Sequence, residues 1–158
     1  MPDEHHFLLQ RVQPAMVGLI DGSLSTLAPI FSVAIVSHKP LYAFAAGLAT
    51  SIGAAISMAF SEGLSDTGEL TGRGNPALRG SITGVGTFLG GILHTLPFLW
   101  NDYHGALVTA AIVVAFEPIG LAWIRWRFFG TSFVKSLGLV SVAGVVIALV
   151  GALVGAGV

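Results

Sequence analysis

The sequence contains no cysteine and very little charge. Without cysteine it can form neither a disulfide framework nor a thiolate zinc or iron–sulfur site, and the redox compartment stays undetermined. Of its 158 residues only 9% are charged, seven basic and eight acidic, for a formal net charge of −1. Soluble domains carry about 25% charged residues, so these side chains are too few to cover a water-soluble globule. The absence of any basic block removes support for a nucleic-acid partner. Several catalytic signatures are also lacking: no GxSxG elbow, no HExxH and no GxxxxGK[ST] loop. The chain is therefore not expected to be an enzyme. Residues 1–13 (MPDEHHFLLQRVQ) have no early apolar stretch, so a cleaved signal peptide is not expected.

What is present is long apolar runs. Hydrophobic residues make up 54% of the chain, and mean hydropathy is +0.84. Twenty-two uncharged residues separate Lys39 from Glu62, another 22 separate Arg79 from Asp102, and 23 follow Lys135. A bilayer core needs about 20 apolar helical residues to cross it. Five spans can be read: Pro14–Ser37, Pro40–Ser61, Gly80–Trp100, His104–Ile124 and Phe133–Val158. Pro14 and Pro40 suit a first helical turn, where a missing N–H leaves nothing unbonded. No strand-like alternation favours a barrel. The expected fold is an all-α integral membrane protein, with residues 1–13 as a short cytosolic segment and 14–158 as one five-helix domain.

The basic residues orient it. With the N-terminus cytosolic and the C-terminus outside, Arg11, Arg73, Arg79, Arg125, Arg127 and Lys135 fall on the inner side and only Lys39 on the outer. Gly18/Gly22, Gly80/Gly84, Gly86/Gly90 and Gly151/Gly155 are each four apart, a spacing that lets helix backbones approach closely. They read either as a tight dimer or moving pair, or as packing within one bundle. No internal repeat supports an inverted-repeat plan.

Ionisable groups inside spans are costly and usually functional. Asp21 lies two turns into the first span, Glu62 at the inner end of the second, and Glu117 inside the fourth, with no basic residue in the spans to pair with them. Met58 shares a helix face with Glu62, and the stripe continues through Asp66 to Glu69. If Asp21 faces Met58 and Glu62, hard oxygen ligands meet one soft sulfur, a set that shifts preference from Mg²⁺ towards Fe²⁺. Against this, Met58 alone is ordinary core filler, and Glu62 alone is an interfacial side chain reaching water. Glu117, before Pro118, is either a proton relay lining a cavity or a structural bond between helices. His94 is expected as a hydrogen-bonded interfacial residue near the outer surface. His5 and His6 are expected in a disordered polar tail.

GLIDGSLSTLAPIFSVA followed by GLATSIGAAISMAFSEGLSD resembles the vacuolar iron transporter family. DGSLSTLAPIF, GLSDTGELTGRG and LHTLPFL resemble the membrane half of bacterial membrane-bound ferritins. The resemblance covers essentially the whole chain. It implies a homodimeric antiporter in the bacterial inner membrane that moves Fe²⁺, with Mn²⁺ as an alternative cargo, out of the cytosol in exchange for protons. Within that pattern Asp21, Met58 and Glu62 are the metal ligands and the path runs between protomers. The family's cytosolic metal-binding and ferritin-like domains have no counterpart in these residues, which assigns the cytosolic entrance to Asp66 and Glu69. No resident cofactor is expected. The competing readings are a passive divalent-cation channel and a non-transporting membrane anchor or assembly domain.

Overall fold

The computed structural model describes residues 2–69 and 71–158; Met1 of the N-terminal segment and Leu70 of the acidic stretch lie outside them. It is 86% helix, and the described residues contain no strand. Helix α1 (Pro2–Phe7) runs through one π-helical turn (Leu8–Val12) into α2 (Gln13–Ser37). Next come α3 (Pro40–Ser65) and α4 (Pro76–Leu93), a 3₁₀ turn (Leu96–Leu99), α5 (Tyr103–Phe129) and α6 (Phe133–Ala156). The N-terminal residues are thus helical, and His5 and His6 belong to α1 instead of a disordered tail. One reason is tethering: Gln10 Nε2 donates to the Gly72 carbonyl at 3.2 Å.

Local chemistry sets the ends. His38 closes α2 in the left-handed region (φ 52°), and Lys39, ahead of a proline, is extended, so α3 starts at Pro40. Asn75, Asp102 and Ser132 each cap the next helix through a side-chain oxygen, satisfying an otherwise orphan N–H. Gly130 ends α5 at φ 62°, where a side chain would be strained.

The packing is inverted relative to a soluble protein. The interior is made of small residues, among them Ala34, Ala43, Ala106, Ala110, Thr26, Thr83 and Thr87, all 0% exposed. Large apolar side chains point outward, for example Phe60, Phe116, Trp123, Leu139, Val142 and Leu153. Such an apolar exterior belongs in lipid, where helices satisfy their own backbone groups. Four helices, Glu4–Ser37, Pro40–Ser65, Tyr103–Phe129 and Phe133–Ala156, are long and apolar enough to cross a membrane. The chain is a multi-pass membrane protein. Helix α4 has 18 residues, about 27 Å at 1.5 Å per residue, and carries five glycines and two threonines among its large apolar residues.

That composition reflects its position between α2 and α3. On one side Gly80 and Gly84 lie against the Ala59 and Ala55 carbonyls of α3; on another Gly86 and Gly90 lie against Ala15, Leu19 and Ser23 of α2. Gly18 and Gly22 of α2 meet the backbone at Thr83 and Thr87 in return. A Cβ placed on Gly151 or Gly155 of α6 would come within 2.6 Å of the α2 backbone at Ala28 or Ser32. All four glycine pairs are therefore consumed by helix contacts within one chain.

The third apolar run differs from the expected span. Pro97 lacks an N–H for the Leu93 carbonyl four residues back and its ring crowds it, so α4 stops at Leu93 and the chain turns into a 3₁₀ segment. Phe98 of that segment is 1% exposed, packed in a cluster with Ile30, Ala34, Ala43, Ala106 and Ala110. At the other end of the bundle, Gln10 meets the 66–75 connection, Arg125 Nε donates to Ser136 Oγ at 3.1 Å, and Glu4, Phe7, Arg127 and Phe128 line a common pocket. Six of the seven basic residues gather at that end.

Candidate functional site

Polar side chains converge at two places. The first is where α3 passes into α4. Asp66 turns the backbone out of the helix (φ −161°, ψ 159°), and its Oδ1 accepts from the Gly68 N–H and, at 3.1 Å, from Thr71 Oγ1. Gly68, Gly72 and Gly74 take positive φ, which folds the connection back on itself. The side-chain amide of Gln10 packs on Gly74, whose left-handed φ of 71° disfavours any other residue there.

This fold brings two guanidiniums to two carboxylates. Glu62 Oε1 lies 2.6 Å from Arg73 Nη2 and 3.0 Å from Arg79 Nε. Asp66 Oδ2 lies 3.0 Å from Arg73 Nη1 and 3.4 Å from Arg79 Nη2. Arg79 is 0% exposed and also donates to the Gly74 carbonyl at 3.2 Å. The cluster is neutral as a whole. Glu62 thus has basic partners after all, one from the connection and one from the first turn of α4. For Asp66, partial desolvation opposes ionisation. The hydrogen bonds from Thr71, Gly68 and Arg73 and the nearby Arg79 charge outweigh it and hold the carboxyl below its ordinary range. Glu69 is exposed on the same connection and takes no part in the cluster.

Asp21 stands apart. It is half-buried in α2, and its carboxylate makes no hydrogen bond or ion pair among the described residues. Gly22, the next residue, faces α4; at 3.6 residues per turn Asp21 points about 100° away from that contact. Met58 is half-buried in α3, between Ala55 and Ala59, which pack against Gly84 and Gly80 of α4. Glu62 is taken up by Arg73 and Arg79, and the described residues contain no group of three or more His, Asp and Glu able to hold a metal ion.

The second place is inside the bundle, where α2, α5 and the end of α4 meet. Ser23, 2% exposed, has its Oγ within hydrogen-bond reach of Glu117 Oε1 and, at 2.6 Å, of the Leu19 carbonyl, with one hydroxyl hydrogen to give. His94 is 0% exposed, with Nε2 3.0 Å from the Ser23 carbonyl oxygen and Nδ1 3.2 Å from Glu117 Oε2. His94 is therefore a core residue and not an interfacial one. Because Pro97 halts α4 at Leu93, the histidine sits where the helix ends inside the bundle. Glu117 is also not served by Arg125, which turns to Ser136 instead.

Sequence reasoning placed Glu117 within a span but missed Ser23 as its partner. A hydroxyl two residues from a mid-span aspartate was the available signal. It also read Arg73 and Arg79 only as topology markers. Comparisons of the chain with known protein families, with curated proteins and with solved structures give no match.

Proposed function

We propose that the chain is a member of the vacuolar iron transporter family. On this reading it crosses the bacterial inner membrane five times, α4 being the third span, with the N-terminus cytosolic and the C-terminus outside. It exports Fe²⁺, and Mn²⁺ as an alternative cargo, in exchange for protons. The observation that carries this reading is Asp21. A carboxylate within a spanning helix costs about 2.5–3.5 kcal/mol on insertion scales, and here no side chain among the described residues compensates it. A cation that binds there would repay that cost.

The remaining ligands are drawn from both copies of the homodimer that the sequence resemblance implies, a second chain completing a carboxylate–thioether set around Asp21 and Met58. Carboxylate with thioether suits Fe²⁺ better than Mg²⁺. Glu62 and Asp66 form the inner entrance, where an arriving divalent ion exchanges for the guanidiniums of Arg73 and Arg79. The clustering of six basic residues at one end supports the cytosolic assignment of that end.

Proteoliposomes with a pH gradient test this. Asp21→Asn keeps the side-chain shape and removes the charge, and it should abolish Fe²⁺ movement driven by that gradient. Parental transport rates in the variant would overturn the proposal. Metal flux that ignores the gradient in the unmodified protein would identify a channel instead.

A further inference from the structure

We propose that Ser23, His94 and Glu117 form a proton-binding site, separate from the proposed metal ligands, in which one proton shared between Glu117 and His94 clamps α5 to α2 and to the end of α4. Proton counting at the observed contacts supports it. The Ser23 carbonyl can only accept, so the His94 Nε2 that lies 3.0 Å from it carries hydrogen. A neutral imidazole then presents a lone pair at Nδ1. An ionised carboxylate is acceptor-only as well, so with Glu117 ionised two lone pairs face each other across 3.2 Å.

Nδ1 is buried and has no aligned hydrogen-bond partner among the described residues, although Oε2 lies within reach. One added proton fills this vacant position as a carboxylic acid at Glu117 donating from Oε2 to Nδ1. The other contacts are already supplied with hydrogen: Ser23 Oγ–H serves Glu117 Oε1, and the Leu19 carbonyl keeps its helical N–H from Ser23. With the proton in place, three elements are tied through one network. Without it, the repulsion between Nδ1 and Oε2 loosens α5 from the other two.

No other charge interferes. Asp21, two residues from Ser23, is the only further ionisable residue in α2, and α5 carries none besides Glu117 between His104 and Arg125. Helix α4 has none between Arg79 and His94, α3 has none but Tyr42 between Lys39 and Glu62, and α6 has none after Lys135. Glu117 also borders a groove of about 490 Å³ between α2, α4 and α5, walled by Leu19, Leu93, Phe116 and Leu121. The groove leaves one flank of the carboxyl uncovered by protein.

This site deepens the antiport reading by giving the protons a place of their own, but its test needs no metal and no transport. In metal-free bilayers, infrared difference spectra across a pH series should show a protonated-carboxyl band that Glu117→Gln removes. His94→Gln and Ser23→Ala should each move the midpoint of that band by about one pH unit or more. Nitrogen NMR of labelled histidine should show the Nε2–H form at His94, identified by its loss in His94→Gln. Because Ser23→Ala removes only a hydroxyl, it keeps the test usable where His94→Gln fails to fold. A band that survives Glu117→Gln, or a midpoint unmoved by Ser23→Ala and His94→Gln, refutes the site. If the band behaves as described while Asp21→Asn transports at the parental rate, the antiport reading fails and the proton site stands.

Discussion

Arg79 offers the sharpest energetic test of how the bundle is held together. Its guanidinium is 0% exposed and its Nε lies 3.0 Å from Glu62 Oε1, itself on a side chain only 11% exposed. At an effective dielectric of about 20 the attraction at that distance is roughly 5–6 kcal/mol before desolvation is subtracted. Breaking a buried pair by removing one partner costs about 3–5 kcal/mol, because the other charge is left uncompensated. Here the stranded charge keeps a second partner: Glu62 retains Arg73 at 2.6 Å, and Arg79 retains Asp66 at 3.4 Å. Arg79→Gln and Glu62→Gln should therefore each cost about 3 kcal/mol, at the low end of that range.

The double variant discriminates. Removing both partners strands neither, so its cost should fall short of the sum by about 2 kcal/mol, roughly a thirtyfold difference in the folding equilibrium. Reversible unfolding of the four proteins in bicelles measures all the terms. High salt should change the coupling little, because screening acts weakly on buried pairs. Additivity within about 0.5 kcal/mol would refute the idea that this pair, and not general packing around Arg79, holds the end of α3 against α4.

Three other expectations follow from particular contacts. Gly22→Val, which forces a branched side chain into the Thr87 backbone, should destabilise the protein by about 3 kcal/mol or more, whereas Gly138→Ala, with open space around it, should stabilise by up to about 1 kcal/mol; thermal unfolding in detergent distinguishes them. Asp66 is held below the usual carboxylate range in the folded state, so its contribution is complete above its unfolded pKa and is lost as pH falls through the lower folded value. Acid should then open the 66–75 connection to proteolysis, and Asp66→Asn should open it already at neutral pH. Because the chain has no cysteine, single cysteines report topology cleanly: Glu69→Cys and Ser132→Cys should label from one side of the membrane and Asn101→Cys from the other, and labelling of all three from the same side would contradict the five-span reading.

Four of the long helices were legible because each is a long apolar run broken by at most one carboxylate, and their observed limits differ from the sequence reading by no more than five residues. Helix α4 was less so. Arg79, counted as a boundary marker, lies inside its first turn, and Pro97, hidden in an apolar run, ends it early. The glycine pairs were visible as a spacing, yet spacing carries no information about which helix lies opposite. Only the folded bundle shows that α4 uses two of its faces, one against α2 and one against α3.

The polar sites divide along the same line. A single carboxylate in a span is conspicuous, so Asp21 and Glu117 could be found from composition alone. Partners come from elsewhere in the chain: Glu117 is 94 positions from Ser23, and His94 is 71 positions from it. What joins them is the close helix approach that glycine permits. With Gly90 set against Leu19 and Ser23, and Gly22 and Gly91 packed together where α2 meets α4, the α2 and α4 backbones come near enough for an imidazole at the end of one to reach a main-chain carbonyl of the other. Larger residues at those positions would separate α2 from α4, and His94 would lose the Ser23 carbonyl that fixes its tautomer. The abundance of glycine and the buried histidine–glutamate pair are thus one feature, because packing tight enough to exclude lipid is also what holds a proton site in the middle of a membrane protein.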